Sequence, residues 1–176
     1  KNLGYFLYKP DNKKYFDKEK FKELEKCQII FILSPNKSHF YYINKFHNKK
    51  YIFCEKPPVN TLKHLAKIKK INFKKIYFNY NFRFSTIGKI LHNSNKYKLG
   101  DFLYGNIISG HGLGFKKEYK KSWRADRKKC KKGVYEIVSV HWIDLINYFF
   151  NILKIKKPSL LNILKKGNSF DNSYNK

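Results

Sequence analysis

The 176-residue sequence predicts an α/β fold built on a parallel sheet, followed by a region with a different pattern. Three short apolar runs alternate with three amphipathic segments over the first half of the chain, in the order α-β-α-β-α-β. The connections between these segments are short, as they are when helical crossovers join parallel strands. With 42% hydrophobic residues, the chain is apolar enough to bury a core.

The first two predicted elements are a helix and a strand. The segment "FDKEKFKELEKC" predicts an exposed helix with Asp17 as its N-cap. The apolar positions of this helix are Phe16, Phe21 and Leu24. The strand "QIIFILS" follows, and its five consecutive apolar residues predict burial on both faces.

The next four elements repeat the alternation. We predict a helix for "PNKSHFYYINKFHNKK", a second buried strand for "KYIFCE", an amphipathic helix for "NTLKHLAKIKK" and a third strand for "KKIYFNYN". The positions that recur at helical spacing are His39, Tyr42, Ile43 and Phe46, and then Leu62, Leu65 and Ile68.

The pattern changes after Arg83, and we place a domain boundary near Phe84, between residues 1–84 and 85–176. Beyond it, "STIGKILHN" predicts a helix, "DFLYGNIISGHGLG" a longer strand of another sheet, and "GVYEIVSVHWIDLINYFFN" a strongly apolar helix. One strand buries little of a sheet face, so we expect the second domain to be incomplete. The polar tail "GNSFDNSYNK" is predicted to be frayed.

Polar residues follow each of the three predicted strands at the point where its apolar run stops. The three ends are Ser34-Pro35-Asn36, Glu55-Lys56-Pro57 and Asn81-Phe82-Arg83. Ligands of open parallel sheets bind beyond the carboxyl ends of the strands. We therefore expect the three ends to converge on one edge of the sheet and to form a site there.

The net charge of +27 allows two interpretations. A strongly basic surface favours nucleic acid or another polyanion as partner, and a non-enzymatic polyanion-binding protein is one hypothesis. However, only three of the 39 basic residues are arginine, the residue that makes most bidentate base contacts. The chain is also rich in Asn, Ile, Phe and Tyr, which share AT-rich codons with Lys. Codon bias is the favoured source of the charge, and nucleic acid is not the favoured partner.

The remaining composition points to a cytoplasmic protein without a metal site. The three cysteines form no CxxC pair, which favours a reducing compartment with cysteines as small packing residues. The six histidines form no ligand-type cluster, so no metal is expected. No apolar run approaches the ~20 residues of a membrane span, and the first ten residues do not resemble a signal peptide.

Lys56 is the first candidate catalytic residue. It lies at a strand end, beside an acid, and in front of two prolines that restrict the backbone. A lysine so placed can hydrogen-bond a reacting hydroxyl and stabilise developing negative charge. The alternative is a surface turn closed by Pro57 and Pro58, with Lys56 simply solvated.

His141 is the second candidate, in a helix that is apolar on nearly every side. Asp144 is three residues further on and shares its face. Burying both costs free energy unless they are paired or line a cavity, and a histidine there could act as a general base near neutral pH. The alternative is a core histidine whose hydrogen bonds are satisfied, for instance by Asp144.

Two further features are weaker. The pair Trp123-Arg124 lies in a basic segment and could stack on and neutralise a phosphate-bearing ligand, or could be an ordinary surface loop. The glycines of "GHGLG" invite comparison with a phosphate-binding loop, but neither the third glycine nor a helix start follows them. We do not assign a phosphate loop there.

Four blocks of the sequence resemble segments of the Gfo/Idh/MocA oxidoreductases, the glucose–fructose oxidoreductase and inositol dehydrogenase family. The block "ILSPNKSHF" resembles the family's "TPN…H" segment, "YIFCEKPPVN" its Glu-Lys-Pro block, and "YNFRFS" its "N-x-R-F" segment. The block "SWRADRKKCKKGVYEIVSVHWIDLINYFFN" resembles its "W-R … G … H-x-x-D" segment. The four blocks follow the family's order between Phe16 and Asn151.

This resemblance implies a partial NAD(P)-binding Rossmann domain over residues 1–84. Residues 85–176 would then be part of an α+β domain with an open, mostly antiparallel sheet. The implied reaction is reversible hydride transfer between NAD or NADP and a hydroxyl of a sugar, nucleotide sugar or cyclitol. The implied partners are that substrate and a second copy of the chain, which would bind through the C-terminal sheet.

The resemblance also implies roles for individual residues. Lys56 would orient the substrate hydroxyl and stabilise its alkoxide, and His141 would take the proton as hydride leaves. The residues expected to line the cofactor side are Pro35, Asn36, His39 and Glu55. Those expected near the cofactor or substrate are Arg83, Trp123 and Arg124.

The chain departs from the family pattern at two points. Many members carry Asp four residues before the histidine, where this chain has Ile137. Glu136 lies five residues before it and would point about 140° away from it on a regular helix. The second departure is the absence of a strand followed by G-x-G-x-x-G, the loop that binds the pyrophosphate. We therefore expect a central piece of a longer enzyme that alone binds NAD poorly, or an inactive remnant of the family.

Overall fold

The chain divides into two compact units. A computed structural model describes residues 18–110, 112–151, 159–161 and 172–174. Unit one comprises the residues up to Ser34 together with Ser38–Phe78. Unit two comprises Pro35–Lys37 together with the residues from Asn79 onward.

Unit one consists of alternating helices and strands. They are α1 (Lys18–Lys26), β1 (Ile29–Ile32), α2 (Asn36–Phe46, whose first two residues are assigned to unit two), β2 (Tyr51–Cys54), α3 (Leu62–Ile68) and β3 (Ile76–Phe78). The strands form one sheet in the order β1-β2-β3, and both pairs are parallel. The predicted alternation and the parallel sheet are thus confirmed. Phe16 and the predicted N-cap Asp17 lie outside the described residues.

The core of unit one lies between one face of the sheet and the helices. The sheet contributes Ile30, Ile32, Ile52, Cys54 and Ile76, and the helices contribute Leu24, Tyr42, Ile43, Phe46 and Ile68. The face of α2 predicted from helical spacing is buried at all four positions. Burying an Ile or Phe side chain contributes roughly 1.5–3 kcal/mol, so this cluster holds the helices on the sheet.

The prediction that the strands are buried on both faces is wrong. Exposure alternates along β1 and β2, and the Phe31 side chain is 64% exposed. Phe31, Phe53 and Tyr77 lie side by side on the exposed face, with ring centroids 5.2 and 5.1 Å apart. The physical reason is that α1, α2 and α3 all contribute to one core cluster on the opposite face. An apolar run alone does not reveal which of its faces has a partner.

Helix α3 buries less of its apolar stripe than its sequence predicts. Thr61 caps it, because the Thr61 hydroxyl accepts a hydrogen bond from the backbone N–H of His64 at 3.1 Å. Only Ile68, in its last turn, reaches the core, whereas Leu62 is 84% exposed and Leu65 is also exposed. The amphipathic pattern predicted the helix correctly, but it did not predict that only the last turn of the helix packs on the core.

Unit two begins with a short 3₁₀ segment, Asn81–Phe84, which we call the NFRF turn. The other elements are α4 (Thr86–His92), three 3₁₀ turns (Gly112–Phe115, Lys117–Lys121, Trp123–Ala125), a π-helical segment (Tyr135–Ser139), α5 (Val140–Phe150), β4 (Ser159–Leu161) and β5 (Asn172–Tyr174). The helix predicted for "STIGKILHN" is confirmed as α4. The helix predicted for "GVYEIVSVHWIDLINYFFN" is confirmed over α5, and Tyr135–Ser139 before it is π-helical.

Two predictions for this unit are wrong. Residues 102–110 form no strand, and Gly112–Phe115 is a 3₁₀ turn. Leu103 is 92% exposed, and an extended segment without a neighbouring strand would leave its backbone groups unpaired within the fold. In the tail that was predicted to fray, Asn172–Tyr174 pairs with β4 as an antiparallel strand. The rest of that tail lies outside the described residues, and the larger antiparallel sheet stays a prediction.

Candidate functional site

The carboxyl ends of β1 and β2 lie side by side in unit one. The two strands run parallel in register from Ile29–Tyr51 to Ile32–Cys54, and the backbone N–H of Glu55 donates to the Ile32 carbonyl at 2.9 Å. Parallel pairing therefore brings Ser34 and the Glu55-Lys56-Pro57 segment to the same edge of the sheet. This is the geometry that the sequence predicted for the first two of the three strand ends.

His39 bridges these two strand ends from inside unit one. Its side chain is 0% exposed. Its Nδ1 lies 2.8 Å from the Pro57 carbonyl oxygen, and its Nε2 lies 2.7 Å from the Ser34 carbonyl oxygen. A neutral imidazole has one N–H and donates to one of these carbonyls, whereas an imidazolium donates to both. His39 thus supports the backbone on either side of the edge where the sequence predicted a cofactor.

Lys56 and Glu55 occupy the loop that His39 supports. Both side chains are half-buried, Pro57 behind them is buried, and the Lys56–Pro57 peptide bond is cis. Burial, together with the charge of Glu55, raises the pKa of the preceding Cys54 thiol to about 12. Cys54 is therefore a packing residue, and it is not a nucleophile near neutral pH.

The remaining residues predicted on the cofactor side differ in burial. Pro35 is exposed, and Asn36, the first residue of α2, is buried. Ser34 and Ser38 are joined by their hydroxyl oxygens at 2.6 Å, which ties the end of β1 to α2. The loop after β1 therefore has its own local hydrogen bonds in addition to the His39 bridge.

In unit two, Arg83 forms a fork-like ion pair with Asp144 of α5. Arg83 Nε donates to Asp144 Oδ2 at 2.8 Å, and Nη2 donates to Oδ1 at 2.5 Å. The Tyr80 and Tyr148 rings lie 5.2 and 4.2 Å from the guanidinium carbon. The hydrogen bond to Asp144 raises the pKa of Arg83 and outweighs the lowering effect of its partial burial.

His141 lies beside this ion pair in the first turn of α5. The Phe82 ring stacks on the imidazole, with centroids 4.5 Å apart and the planes 16° from parallel. The same ring meets Trp142 edge-on at 4.8 Å. The structure therefore brings Arg83 and His141, two of the predicted site residues, into one cluster through Phe82 and Asp144. Unit one holds Lys56, Glu55 and His39.

The helix before His141 is not regular, which changes the argument about Glu136. Tyr135–Ser139 is π-helical, and the Val140 N–H donates to the Tyr135 carbonyl five residues earlier. A π turn holds more residues than an α turn, so residues five apart across it are separated by a smaller angle than in a regular α-helix. The angle of about 140° between Glu136 and His141 applies only to a regular helix. That reason for excluding Glu136 no longer holds.

Glu136 also contacts the segment before its own helix. Its carboxylate accepts a hydrogen bond from the backbone N–H of Lys132 at 3.4 Å. Burial raises the pKa of the Cys130 thiol, and a hydrogen bond to Glu136 raises it further. The Cys130 side chain is fully buried, so its thiol stays protonated and packs as a small apolar group.

Trp123 and Arg124 lie on a 3₁₀ turn within the basic segment. The guanidinium carbon of Arg124 is 4.8 Å from the centroid of the Trp123 ring, and both side chains are half-buried. The neighbouring residues Ala125 and Tyr119 are buried. The predicted stacking partners are thus already stacked on each other, and a planar ligand would have to add to this pair.

No sequence pattern predicts the contact between the NFRF turn and α5. Arg83 and Asp144 are 61 residues apart, and no periodicity links them. The family-like blocks "N-x-R-F" and "H-x-x-D" contain all four residues of the cluster, so the resemblance marked them without showing that they meet. Phe82 was overlooked because a lone phenylalanine carries no chemistry of its own.

Residues 7–76 match the family model described as "Oxidoreductase family, NAD-binding Rossmann fold", which is the Gfo/Idh/MocA model. Over these residues, less than half of the 176-residue chain, the sequence is similar to the NAD-binding Rossmann fold of that oxidoreductase family. The resemblance inferred from the four sequence blocks is thereby confirmed for this part of the chain. No curated protein matches the sequence.

Solved structures with the same fold include three dehydrogenases. The inositol dehydrogenase homolog from Azotobacter vinelandii, complexed with NAD+, has a TM-score of 0.66 at 19% identity, over 88% of this chain and 44% of that one. Levoglucosan dehydrogenase, complexed with NADH and levoglucosan, has a TM-score of 0.64 at 19% identity, over 78% and 39%. The WlbA (WbpB) dehydrogenase from Thermus thermophilus, with NAD and UDP-GlcNAcA, has a TM-score of 0.54 at 22% identity, over 73% and 42%.

These matches show the fold of the chain and how much of each solved enzyme the chain covers. The chain spans less than half the length of each of these three enzymes. Among the described residues, no helix is long and apolar enough to cross a membrane. The same part of the chain contains no group of three or more His, Cys, Asp or Glu side chains that could bind a metal ion.

Proposed function

We propose that the protein carrying this chain transfers a hydride between a nicotinamide cofactor and a hydroxyl of a sugar, nucleotide sugar or cyclitol. The observation that carries the proposal is the match of residues 7–76 to an NAD-binding oxidoreductase family, with Lys56 at a carboxyl end of the parallel sheet. Such edges are where open parallel sheets bind their ligands.

The polar groups at this edge of the sheet are suited to binding one side of a nicotinamide cofactor. The Glu55-Lys56-Pro57 loop follows β2 and offers backbone groups and a carboxylate, and the Ser34-Pro35-Asn36 segment follows β1 and offers backbone groups and an amide. The 176-residue sequence contains no G-x-G-x-x-G motif, so it does not supply that pyrophosphate-binding loop. When bound, the nicotinamide accepts or donates the hydride, which no side chain of the chain can do.

Each protein residue then has a defined task. Lys56 donates a hydrogen bond to the substrate hydroxyl and stabilises the alkoxide as its proton leaves. His141 accepts that proton at a ring nitrogen, and in the reverse direction returns it. Arg124 and Trp123 contact the cofactor or substrate from the basic segment, and we keep Glu136 as the candidate for the carboxylate that accompanies the histidine.

The basic segment favours substrates that carry phosphate. Residues 115–132 contain ten basic and two acidic side chains, including the stacked Trp123-Arg124 pair. The WlbA (WbpB) dehydrogenase has been solved with UDP-GlcNAcA, a ligand with a diphosphate. We therefore propose that the substrate is a sugar linked to phosphate or diphosphate, whose negative charge lysine and arginine side chains can neutralise.

The proposal also covers location and assembly. The three cysteines include two buried thiols and a partly exposed one, and none of them forms a disulfide, which suits a reducing cytoplasm. We expect a homo-oligomer that forms through the C-terminal sheet. Light scattering on the purified protein tests this expectation.

The test of the function uses the whole gene product that contains this chain. It is incubated with NAD+ or NADP+ and a panel of cyclitols, free sugars and nucleotide sugars, and reduced nicotinamide is followed by absorbance. We expect reduction with at least one substrate. The Lys56→Met variant should lose on the order of 10²-fold or more in kcat, while the matched exposed-lysine variant Lys63→Met should not.

Two outcomes would contradict the proposal. The first is the absence of reduced nicotinamide with every member of the panel. The second is a Lys56→Met variant with full activity, which would remove Lys56 from the mechanism. If the inactive protein instead bound polyanions with a steep dependence on salt, the polyanion-binding hypothesis would replace this one.

A further inference from the structure

The NFRF turn contacts α5 at two side chains that are one helical turn apart. Phe82 stacks on His141, and the adjacent Arg83 pairs with Asp144. His141 and Asp144 lie three residues apart and therefore on one face of α5. Two neighbouring residues of the turn thus fix two neighbouring positions of the helix, which restrains both its rotation and its sliding.

The contact to His141 restrains the ring itself. The two rings are nearly parallel at 4.5 Å, so the imidazole cannot turn about its Cβ–Cγ bond without losing the stack. Trp142 closes a second side of Phe82, edge-on at 4.8 Å. Phe82 is therefore fixed by its own neighbours while it restrains the histidine.

The contact to Asp144 is equally specific. The guanidinium donates through two nitrogens to two carboxylate oxygens, at 2.8 and 2.5 Å, a geometry that lysine cannot reproduce. The Tyr148 ring, one turn further along α5 from Asp144, lies 4.2 Å from the guanidinium carbon. Arg83 thus contacts α5 over two successive turns.

Helix α4 fixes the turn from its other side. A Cβ atom at Gly88 would lie 2.2 Å from the Arg83 carbonyl oxygen and 2.6 Å from the Phe82 carbonyl oxygen. Only glycine permits this approach of helix backbone to turn backbone. The NFRF turn is therefore held in place independently of its two side-chain contacts with α5.

From this arrangement we infer that Phe82 and Arg83 are positioning residues for His141. Phe82 sets the plane of the imidazole, and Arg83 sets the rotation of α5 through Asp144. The inference rests on the proposed function in that it takes His141 to be the general base. Phe82 is assigned no contact with substrate or cofactor, so its loss should lower turnover and leave substrate binding largely unchanged.

The first experiment compares two phenylalanines of the same turn in the whole gene product. Phe82→Leu removes the ring on His141, and Phe84→Leu removes a ring that is 77% exposed. We expect Phe82→Leu to lower kcat on the order of 10-fold or more with KM within about twofold, because a misplaced general base loses much of its effect. Phe84→Leu should match the wild type, and Phe82→Tyr should restore turnover.

The pH profile separates positioning from a merely structural role. We expect the limb of the kcat profile that reports the base to shift in Phe82→Leu and to stay in place in Phe84→Leu. Arg83→Lys should lower kcat because it keeps the charge but loses the fork, whereas Arg127→Lys, at an exposed arginine, should not. Equal profiles and equal kcat in Phe82→Leu and Phe84→Leu would overturn the inference.

A second measurement does not require enzymatic activity, so it tests the positioning of His141 independently of the proposed function. Diethyl pyrocarbonate modifies accessible imidazoles, and peptide mass spectrometry reads the rate at His141 alone. We expect faster modification of His141 in Phe82→Leu than in the wild type, and no change in Phe84→Leu. The absence of hydride transfer would contradict the proposed function. An unchanged rate of His141 modification in a folded Phe82→Leu variant would contradict the positioning role.

Discussion

The His39 imidazole lies 2.8 Å from the Pro57 carbonyl oxygen and joins α2 to the loop that presents Lys56. Its other ring nitrogen lies 2.7 Å from the Ser34 carbonyl oxygen, so one side chain links the ends of two strands. Because the ring is completely buried, water cannot replace these two carbonyls as partners of the ring nitrogens. His39 therefore contributes to the edge of the sheet through the backbone that it supports.

Replacing His39 by phenylalanine should destabilise the protein. His39→Phe keeps an aromatic ring but removes both nitrogens, and a carbonyl that loses its donor in the interior costs about 1–3 kcal/mol. We expect the free energy of unfolding to fall by roughly 1–3 kcal/mol in urea denaturation, since a neutral imidazole donates to one of the two carbonyls. The control is His92→Phe, at an exposed histidine, which should change it by about 0.5 kcal/mol or less. Equal effects of the two substitutions would show that the bridge does not contribute.

The ion pair between Arg83 and Asp144 should show a measurable coupling energy. Its side chains are 32% and 13% exposed, so water screens it only in part. In a double-mutant cycle with Arg83→Met and Asp144→Asn, we expect a coupling of about 1–2 kcal/mol in the free energy of unfolding. The same cycle with Lys26 and Glu23, an exposed pair, should give a coupling near zero. A coupling energy near zero for Arg83 and Asp144 would show that their ion pair does not stabilise the fold.

The three cysteines should react in two classes. Burial raises the pKa of the Cys54 thiol to about 12, and burial with a hydrogen bond to Glu136 raises that of Cys130. Only the thiolate is nucleophilic, so both thiols should resist iodoacetamide near pH 8, whereas the partly exposed Cys27 should react. Mass spectrometry should find one fast and two slow sites, and three fast sites in guanidinium chloride. Fast alkylation of Cys54 or Cys130 in the native protein would contradict their burial.

The 176-residue chain by itself should bind NADH weakly. It contributes polar strand ends but no G-x-G-x-x-G loop, which in Rossmann domains binds the pyrophosphate at a helix N-terminus. A fluorescence titration of the chain with NADH should therefore show no saturation in the micromolar range. Saturable micromolar binding would mean that other residues of this chain replace the glycine loop.

The order of elements in unit one could be predicted because it depends on local sequence. Apolar runs of strand length that alternate with helical repeats predict the parallel sheet. The helical spacing of Tyr42, Ile43 and Phe46 predicts the face of α2 that is buried. The polar ends of β1 and β2 then meet at one edge because parallel strands share their direction. The prediction that these two strand ends share one edge of the sheet therefore needed only the order and direction of the strands.

The parts that could not be predicted depend on neighbours distant in sequence. Whether Phe31 is buried depends on a helix on its side of the sheet, and whether residues 102–110 form a strand depends on a pairing partner. The stack of Phe82 on His141 joins two segments with no common periodicity. The π-helical turn at Tyr135–Ser139 breaks the regular spacing that the argument about Glu136 assumed.

The central claim is hydride transfer between a substrate carbon and nicotinamide, assisted by Lys56. The most direct measurement supplies the whole gene product with a substrate deuterated at the carbon that bears the reacting hydroxyl, and analyses the reduced cofactor by mass spectrometry. We predict one deuterium in the reduced nicotinamide with the wild type, and on the order of 10²-fold less labelled cofactor with Lys56→Met. Reduced nicotinamide without deuterium, or equal labelling by the wild type and Lys56→Met, would contradict the account.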